Sequence, residues 1–192
     1  MKEENNNQKI VFLKGKKVIL RPLEERDAER CQRWINDPEV ALYLSQHRPI
    51  TLTEEKKWVM SGSSKDSISL AIETLDGVHI GNMGADSIKW IDGTAITGAV
   101  IGEKEYWGKG FGTDAKMQLL NYLFNTLNLR KICSVAYAFN ERSIAYSLHC
   151  GYKEEGRRRK HVFRNGEYHD IVDLALFKED WLPYWKKYLE EK

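Results

Sequence analysis

No apolar run in this 192-residue chain approaches the roughly 18 residues that a membrane span requires. The opening stretch, MKEENNNQK, lacks the apolar core of a signal peptide, so a cytoplasmic location is expected and no membrane partner is foreseen. Cysteine is scarce. Cys31, Cys133 and Cys150 form an odd, widely spaced set that suits neither a disulfide framework nor a zinc site, and no metal is expected. Charge of one sign is also missing: 30 basic residues face 28 acidic ones, for a net charge of +2. That balance gives no bulk attraction to nucleic acid, and no nucleic-acid partner is expected. Internal repeats and linkers are absent as well. With 42% hydrophobic and 30% charged residues, the chain has the composition of an ordinary globular protein and the length for one sizeable core. Residues 1–8, rich in asparagine, are read as a flexible tail, and residues 9–192 as a single domain.

The elements present alternate between two periods. KKVILRPL (16–23) reads as a strand, and ERDAERCQRWIND (25–37) as a helix that Asn36-Asp37-Pro38 stops. Short helices follow at 39–44 and from Thr53 to near Gly62. Residues 67–74, 78–90 and 94–102 alternate as strands, separated by the turn signals LDG and IDG, which makes an antiparallel meander. Leu119, Leu120, Leu123, Phe124 and Leu127 line one side of a longer helix. RKICSVAYAF (130–139) is a buried strand, and Asn140 and Gly151 cap and stop a helix between them. Two strands then flank the turn RNG (164–166), and a terminal helix is interrupted or begun at Pro183. The sum is an α+β fold of about seven strands.

YWGKGFGTDA (106–115) places Gly108, Gly110 and Gly112 between a strand and a helix. Unpaired amides at a helix start, with glycines that let a ligand approach the backbone, make an anion site. Lys109 adds positive charge. The P-loop pattern fails here, because Gly110 follows Lys109 where Ser or Thr is needed, and Trp occupies position 107 where it requires Gly. The dinucleotide pattern fails too, being one residue too long for this spacing. Taken alone, the stretch fits a phosphate loop and a structural turn equally.

WGKGFGTDA resembles the acetyl-CoA pyrophosphate loop of the GNAT superfamily of N-acetyltransferases, with its signature Arg/Gln-x-x-Gly-x-Gly/Ala. Trp107, Gly110 and Gly112 take the first, fourth and sixth positions, and Trp at the first resembles the branch of ribosomal-protein (Rim-type) and spermidine acetyltransferases. The resemblance runs from VILRPLEERDAERCQRWINDPEV to GYKEEGRRRKHVFRNGEYHDIVDLALF. It implies a mixed, mostly antiparallel sheet flanked by helices, with two strands splayed apart where an acetyl thioester lies. It further implies backbone contacts to the pantetheine arm from Val100, Ile101 and Gly102. The loop residues Gly108, Lys109, Gly110, Phe111, Gly112 and Thr113 would hold the pyrophosphate, and Asn140 and Ser143 would face the cofactor from the following helix. Acetyl-CoA is the implied co-substrate.

The same resemblance frames the chemistry. A lysine-like amine is neutral about once in 2,500 molecules at pH 7, against about one in ten for an α-amine, a difference of roughly 3.3 kcal/mol. A general base therefore matters for the first and can be dispensed with for the second. Many relatives carry Glu in an Ala-Glu-Ile-Gly strand; here Ala95-Ile96-Thr97-Gly98 puts Ile96 in its place. Asp86, Glu103, His169, Asp170 and a water relay are the replacement candidates. For the thiolate donor, relatives place Tyr seven residues after the Asn, which is Ser147 here, with Tyr146 one residue earlier and about 100° away around a helix. Ser143, Tyr146 and Ser147 stand as alternatives. The basic run at 157–161 is a solvated edge or a site for the cofactor's 3′-phosphate or an acidic target. Trp34, Tyr43, Trp58 and Trp90 are read as core or cleft wall. The acceptor implied is a primary amine, either a protein N-terminus or a small molecule. A polyamine acceptor and a non-catalytic acyl-CoA-binding or regulatory module are the alternatives, and a homodimer stays open.

Overall fold

The computed structural model describes residues 10–191, so the stretch read as a tail lies outside the described residues. Eight strands form one sheet: β1 (Leu13–Lys14), β2 (Val18–Pro22), β3 (Ile68–Thr74), β4 (His79–Lys89), β5 (Thr94–Ile101), β6 (Lys131–Tyr137), β7 (Lys153–Arg164) and β8 (Glu167–Phe177). Their spatial order is β1-β2-β3-β4-β5-β6-β8-β7. Neighbours are antiparallel except β5 and β6, which run parallel. The strand beyond the expected seven is β1, which sets Leu13 opposite Leu20 and Lys14 opposite Ile19. Two residues are too few to leave a period in the sequence. The β7–β8 turn has positive φ at both Asn165 (50°) and Gly166 (85°), the backbone that joins twisted strands most tightly.

The helices are α1 (Ala28–Asn36), α2 (Pro38–Ala41), α3 (Leu52–Ser61), α4 (Phe111–Asn121), α5 (Glu141–His149) and α6 (Lys178–Glu190). Asp37 both ends α1 and caps α2, accepting the Glu39 amide at 2.9 Å with Pro38 at the first helical position. A reciprocal pair, Thr51 and Glu54, opens α3 slightly earlier than expected. α6 runs straight through Pro183 rather than beginning there. Trp181 explains this: it is wholly buried, its ring lies 5.2 Å from Phe124 and 5.2 Å from Trp185, and that packing outweighs one missing helical bond.

α4 supplies the apolar stripe that the sequence indicates. Leu119, Leu120, Leu123 and Phe124 have no exposed surface, and the helix runs on as a π turn over Tyr122–Thr126. A second, smaller core joins Ala28, Cys31, Trp34, Val40 and Val59. Trp34 seats α1 on the end of β5, because a Cβ at Gly102 would lie 2.0 Å from its ring. Only glycine fits there.

Candidate active site

β5 and β6 touch at one end only. Their pairing covers Thr94 with Lys131, Ala95 with Ile132 and Ile96 with Cys133. One further link, from Ser134 Oγ to the Thr97 carbonyl at 3.2 Å, closes the joined part. Beyond it the strands part around a cleft of about 1660 Å³, lined by β5, the glycine loop, α4, α5 and the β7 hairpin.

Strand alternation decides which backbone groups face that split. Thr97 and Ile101 direct their carbonyls away from β4, to Ser134 Oγ and to the Trp107 indole N–H (2.6 Å). Ala99, midway between them, therefore presents its own amide and carbonyl to the cleft. Val100 and Gly102 point the other way: a Cβ at Gly81 of β4 would meet the Val100 carbonyl at 2.1 Å, and the Gly102 amide donates to Ile80 at 2.9 Å. Of Val100, Ile101 and Gly102, expected to offer backbone groups to the cleft, Ile101 alone turns them away from β4, and Ala99 does so as well. Val100 is still among the residues that line the cleft, and Gly102 is not.

The glycine loop has the backbone that its composition demands. Gly108 (φ 71°) and Gly110 (φ 83°) are left-handed, and Gly110 is the N-cap of α4. Among the described residues, the amides of 108–113 meet no protein acceptor, whereas the next amide, that of Asp114, donates to the Gly110 carbonyl at 3.0 Å. Gly108, Gly110, Phe111, Gly112 and Thr113 line the cleft; Lys109 is exposed and does not. The cation at the loop is instead Lys17, whose Nζ donates to the Lys109 carbonyl at 2.8 Å and lies 5.7 Å from the Phe111 ring centre. Asp114 fixes this arrangement by accepting the amides of Lys16, Lys17 and Val18 at 3.0, 2.8 and 3.0 Å and the Tyr188 hydroxyl at 2.6 Å. Trp107 ties the loop back to β5, and the Arg142 guanidinium stacks on its ring at 4.0 Å.

α5 brings three candidates to the cleft and turns one away. Asn140 caps the helix, its Oδ1 accepting the Ser143 amide at 3.2 Å, and both line the cleft with Tyr146. The Tyr146 hydroxyl is buried without a partner, and burial holds its pKa well above the ordinary tyrosine value. Ser147 has no exposed surface and lies outside the lining. The position counted from the family pattern therefore faces the core, and its neighbour faces the cleft: Tyr146 lies beside Gly112, whose Cβ would come 3.9 Å from the Tyr146 ring.

Of the replacement bases, Asp86 lines the cleft, directly across from Ile96 in the β4–β5 register. Glu103 is paired with Arg33, His169 lies edge-on to Phe139 at 4.8 Å, and Asp170 accepts the Lys160 amide at 2.8 Å; none of the three lines the cleft. Tyr43 and Trp58 are cleft wall and Trp34 is core, but Trp90 is neither, being 47% exposed and bonded to Lys65 and Asp66. In the basic run, Arg158 is paired with Asp173 at 2.8 Å and Arg157 with Glu154 at 2.8 Å.

One residue of the site went unread in the sequence. Lys116 is 1% exposed, lines the cleft beside Tyr146, and donates to Thr97 Oγ1 at 2.7 Å. Burial pushes its pKa down to about 8. The signal was present: Lys116 precedes Leu119, Leu120 and Leu123 by three, four and seven residues, which puts it on the apolar stripe.

Residues 17–153 match the acetyltransferase (GNAT) domain model. The chain belongs to the GNAT acetyltransferase family. "Putative ribosomal N-acetyltransferase YdaF" of Bacillus subtilis (strain 168) is 29% identical over 171 residues, covering 85% of this chain and 93% of that protein. The spermidine N(1)-acetyltransferase of Escherichia coli (strain K12) is 26% identical over 165 residues, covering 86% and 88%. The crystal structure of spermidine N-acetyltransferase from Vibrio cholerae in complex with CoA and spermine superposes with a TM-score of 0.79, over 86% of this chain and 98% of that one, at 24% identity. The GNAT fold, with its mixed sheet split at a parallel pair, is the fold observed here. Relatives over most of the chain are named N-acetyltransferases, which favours an enzyme over a module without catalysis. Among the described residues no helix is long and apolar enough to cross a membrane.

Proposed function

We propose that this GNAT protein transfers the acetyl group of acetyl-CoA directly to a primary amine that carries little other positive charge: a protein N-terminal α-amine or a small-molecule amine. The observation that carries this reading is the run of loop amides at 108–113, unpaired and opening on the cleft that Tyr146 lines. Those amides, the α4 dipole and Lys17 suit a pyrophosphate. Ala99 offers its amide and carbonyl, and Ile101 its amide, to a pantetheine arm laid along β5. When bound, acetyl-CoA supplies a thioester whose carbonyl carbon the amine attacks.

The roles then divide among residues at known places. Tyr146 is the hydroxyl that meets the sulfur as the C–S bond breaks, because the residue lines the cleft and its O–H is buried without a protein partner. Ser143 lines the same side, and Asn140 holds the helix start. Asp86 takes or relays the surplus proton of the amine. It is an exposed carboxylate, which suits an α-amine that needs little help.

The charge of the lining supports the acceptor class. Among the described residues Asp86 is the one carboxylate of the lining, against Lys116, Arg142 and Arg164. A polyamine carries several positive charges and would meet repulsion in such a cleft. The relatives named for spermidine keep that acceptor as the second reading. Free-thiol release from acetyl-CoA, measured over peptides with free α-amines, monoamines and spermidine, separates the two. Turnover on α-amines or monoamines with little on spermidine is expected. A preference for spermidine overturns the acceptor assignment, and no turnover on any amine overturns the reading as an enzyme of this acceptor class.

A further inference from the structure

Two lysine or arginine side chains are buried among the described residues, and they are served very differently. Arg21 bonds Asp27 at 2.7 Å and Glu73 at 2.6 Å. Lys116 forms no ion pair among the described residues, and its single hydrogen-bond acceptor is Thr97 Oγ1. That oxygen is already fully used: it lies 2.9 Å from the Tyr152 hydroxyl, and its own proton goes to the Cys133 carbonyl at 3.2 Å. The ammonium is therefore left with donors to spare. It sits 5.5 Å from the ring centre of Tyr146 and 5.4 Å from that of Tyr152. A buried cation without a counter-ion is costly, and the site beside it is one where negative charge must develop.

We propose that Lys116 is a positioning residue for acyl transfer, its ammonium holding positive charge beside the Tyr146 ring so that the hydroxyl can stabilise a departing thiolate. This rests on the acetyl-CoA reading of the cleft. In the step, the amine nitrogen bonds to the acetyl carbon and the C–S bond breaks with its electron pair on sulfur. Tyr146 Oη–H gives that sulfur its proton and regains one from cleft water, while the surplus proton of the amine leaves through Asp86 to water. The groups facing Lys116 are Tyr146 and Cys150 from the α5 side, Tyr152 beyond it, and Thr97 of β5 with the Cys133 carbonyl of β6 behind it. None of these described residues is a carboxylate, so while Lys116 keeps its proton the partner left for its charge is an anion in the cleft.

The test is acetyl transfer by the full chain between pH 6 and 10, comparing wild type with Lys116→Met, Tyr146→Phe and the double variant. Lys116→Met is expected to lower kcat at least tenfold at pH 7 while KM for acetyl-CoA stays within twofold. Wild-type kcat should fall above about pH 8 as Lys116 loses its proton, and both single variants should lose that fall. In the Tyr146→Phe background the Lys116→Met effect should vanish. An unchanged kcat and pH profile in Lys116→Met, or its full effect persisting without the Tyr146 hydroxyl, overturns the role. Should Lys116→Met not fold, an alkaline fall retained in Tyr146→Phe overturns it as well. A wild-type chain that binds no acetyl-CoA by calorimetry overturns the cleft reading together with it, whereas binding and turnover that Lys116→Met leaves intact overturn the lysine alone.

Discussion

Asp114 Oδ2 accepts the backbone amide of Lys17 at 2.8 Å, across 97 residues of chain. The same carboxylate takes the amides of Lys16 and Val18 and the Tyr188 hydroxyl, so one side chain in the first turn of α4 collects four donors. Its effect is to pin the glycine loop to the β1–β2 turn, and with it the Lys17 ammonium. Asp114→Ala leaves three backbone N–H groups without their acceptor in a site where Asp114 is 4% exposed. Each such loss is worth about 1–3 kcal/mol, and together about 3–5 kcal/mol is expected. Thermal unfolding should show a drop on the order of 10 °C for a chain of this size. KM for acetyl-CoA should rise in the surviving folded protein.

The loop itself offers a cleaner separation of binding from folding. Gly110 has φ 83°, and the one atom near its missing Cβ is Lys17 Nζ at 3.3 Å. A β-branched residue there is strained by about 1–3 kcal/mol and pushes carbon into the space between the free amides and the lysine. Gly110→Val should retain its far-ultraviolet circular dichroism and lose at least tenfold in acetyl-CoA affinity by calorimetry. Unchanged affinity would remove the loop from the binding site.

Much of this fold could be read along the chain because its signals are local. The meander from β3 to β5 is announced by alternation and by Gly77 and Gly93, and the α5 start by Asn140. The loop was legible for the same reason, since three glycines before an apolar helix need no distant partner. What stayed hidden depends on contacts far apart in sequence. Asp114 looks like an ordinary acidic residue at a helix start until β1 and β2 fold over it. Lys109 carries charge in the right stretch, yet the lysine whose ammonium reaches the loop is Lys17, 92 residues earlier. Val100 and Ala99 could not be told apart because the face a strand turns to its neighbour is set by register, which the sequence of one strand does not contain.

On α5 the two adjacent candidates separate by one measurement each. Tyr146→Phe removes a buried, unpartnered hydroxyl from a residue of the cleft wall. A thiolate, with a pKa near 8.5 when free, leaves moderately well unaided, so kcat should fall by about 10- to 100-fold, at the low end for proton transfer. Ser147→Ala removes a hydroxyl that is equally unpartnered but faces the core. It should leave kcat within twofold and hold or raise stability by up to about 1 kcal/mol, since an unsatisfied buried polar group is lost. A large kinetic defect in Ser147→Ala would mean that α5 presents its other face to the substrate.

Lys116 also makes a statement about stability. Its folded pKa, pushed down to about 8 by burial, lies below the ordinary lysine value of 10.5. Between those values the unfolded chain binds the proton and the folded chain does not, so this group makes stability rise with pH across that window. Below pH 8 the full cost is present, about 3 kcal/mol from the size of the shift, partly offset by the bond to Thr97. Lys116→Met should therefore be more stable than wild type at pH 7 by about 2 kcal/mol in urea unfolding, and the gap should close as pH climbs from 8 towards 10. Taking the difference between the two proteins cancels the titration of surface groups that both share. A variant less stable than wild type at pH 7, or a gap that does not change with pH, would mean that the ammonium has a counter-charge within the fold and is not held bare beside the cleft.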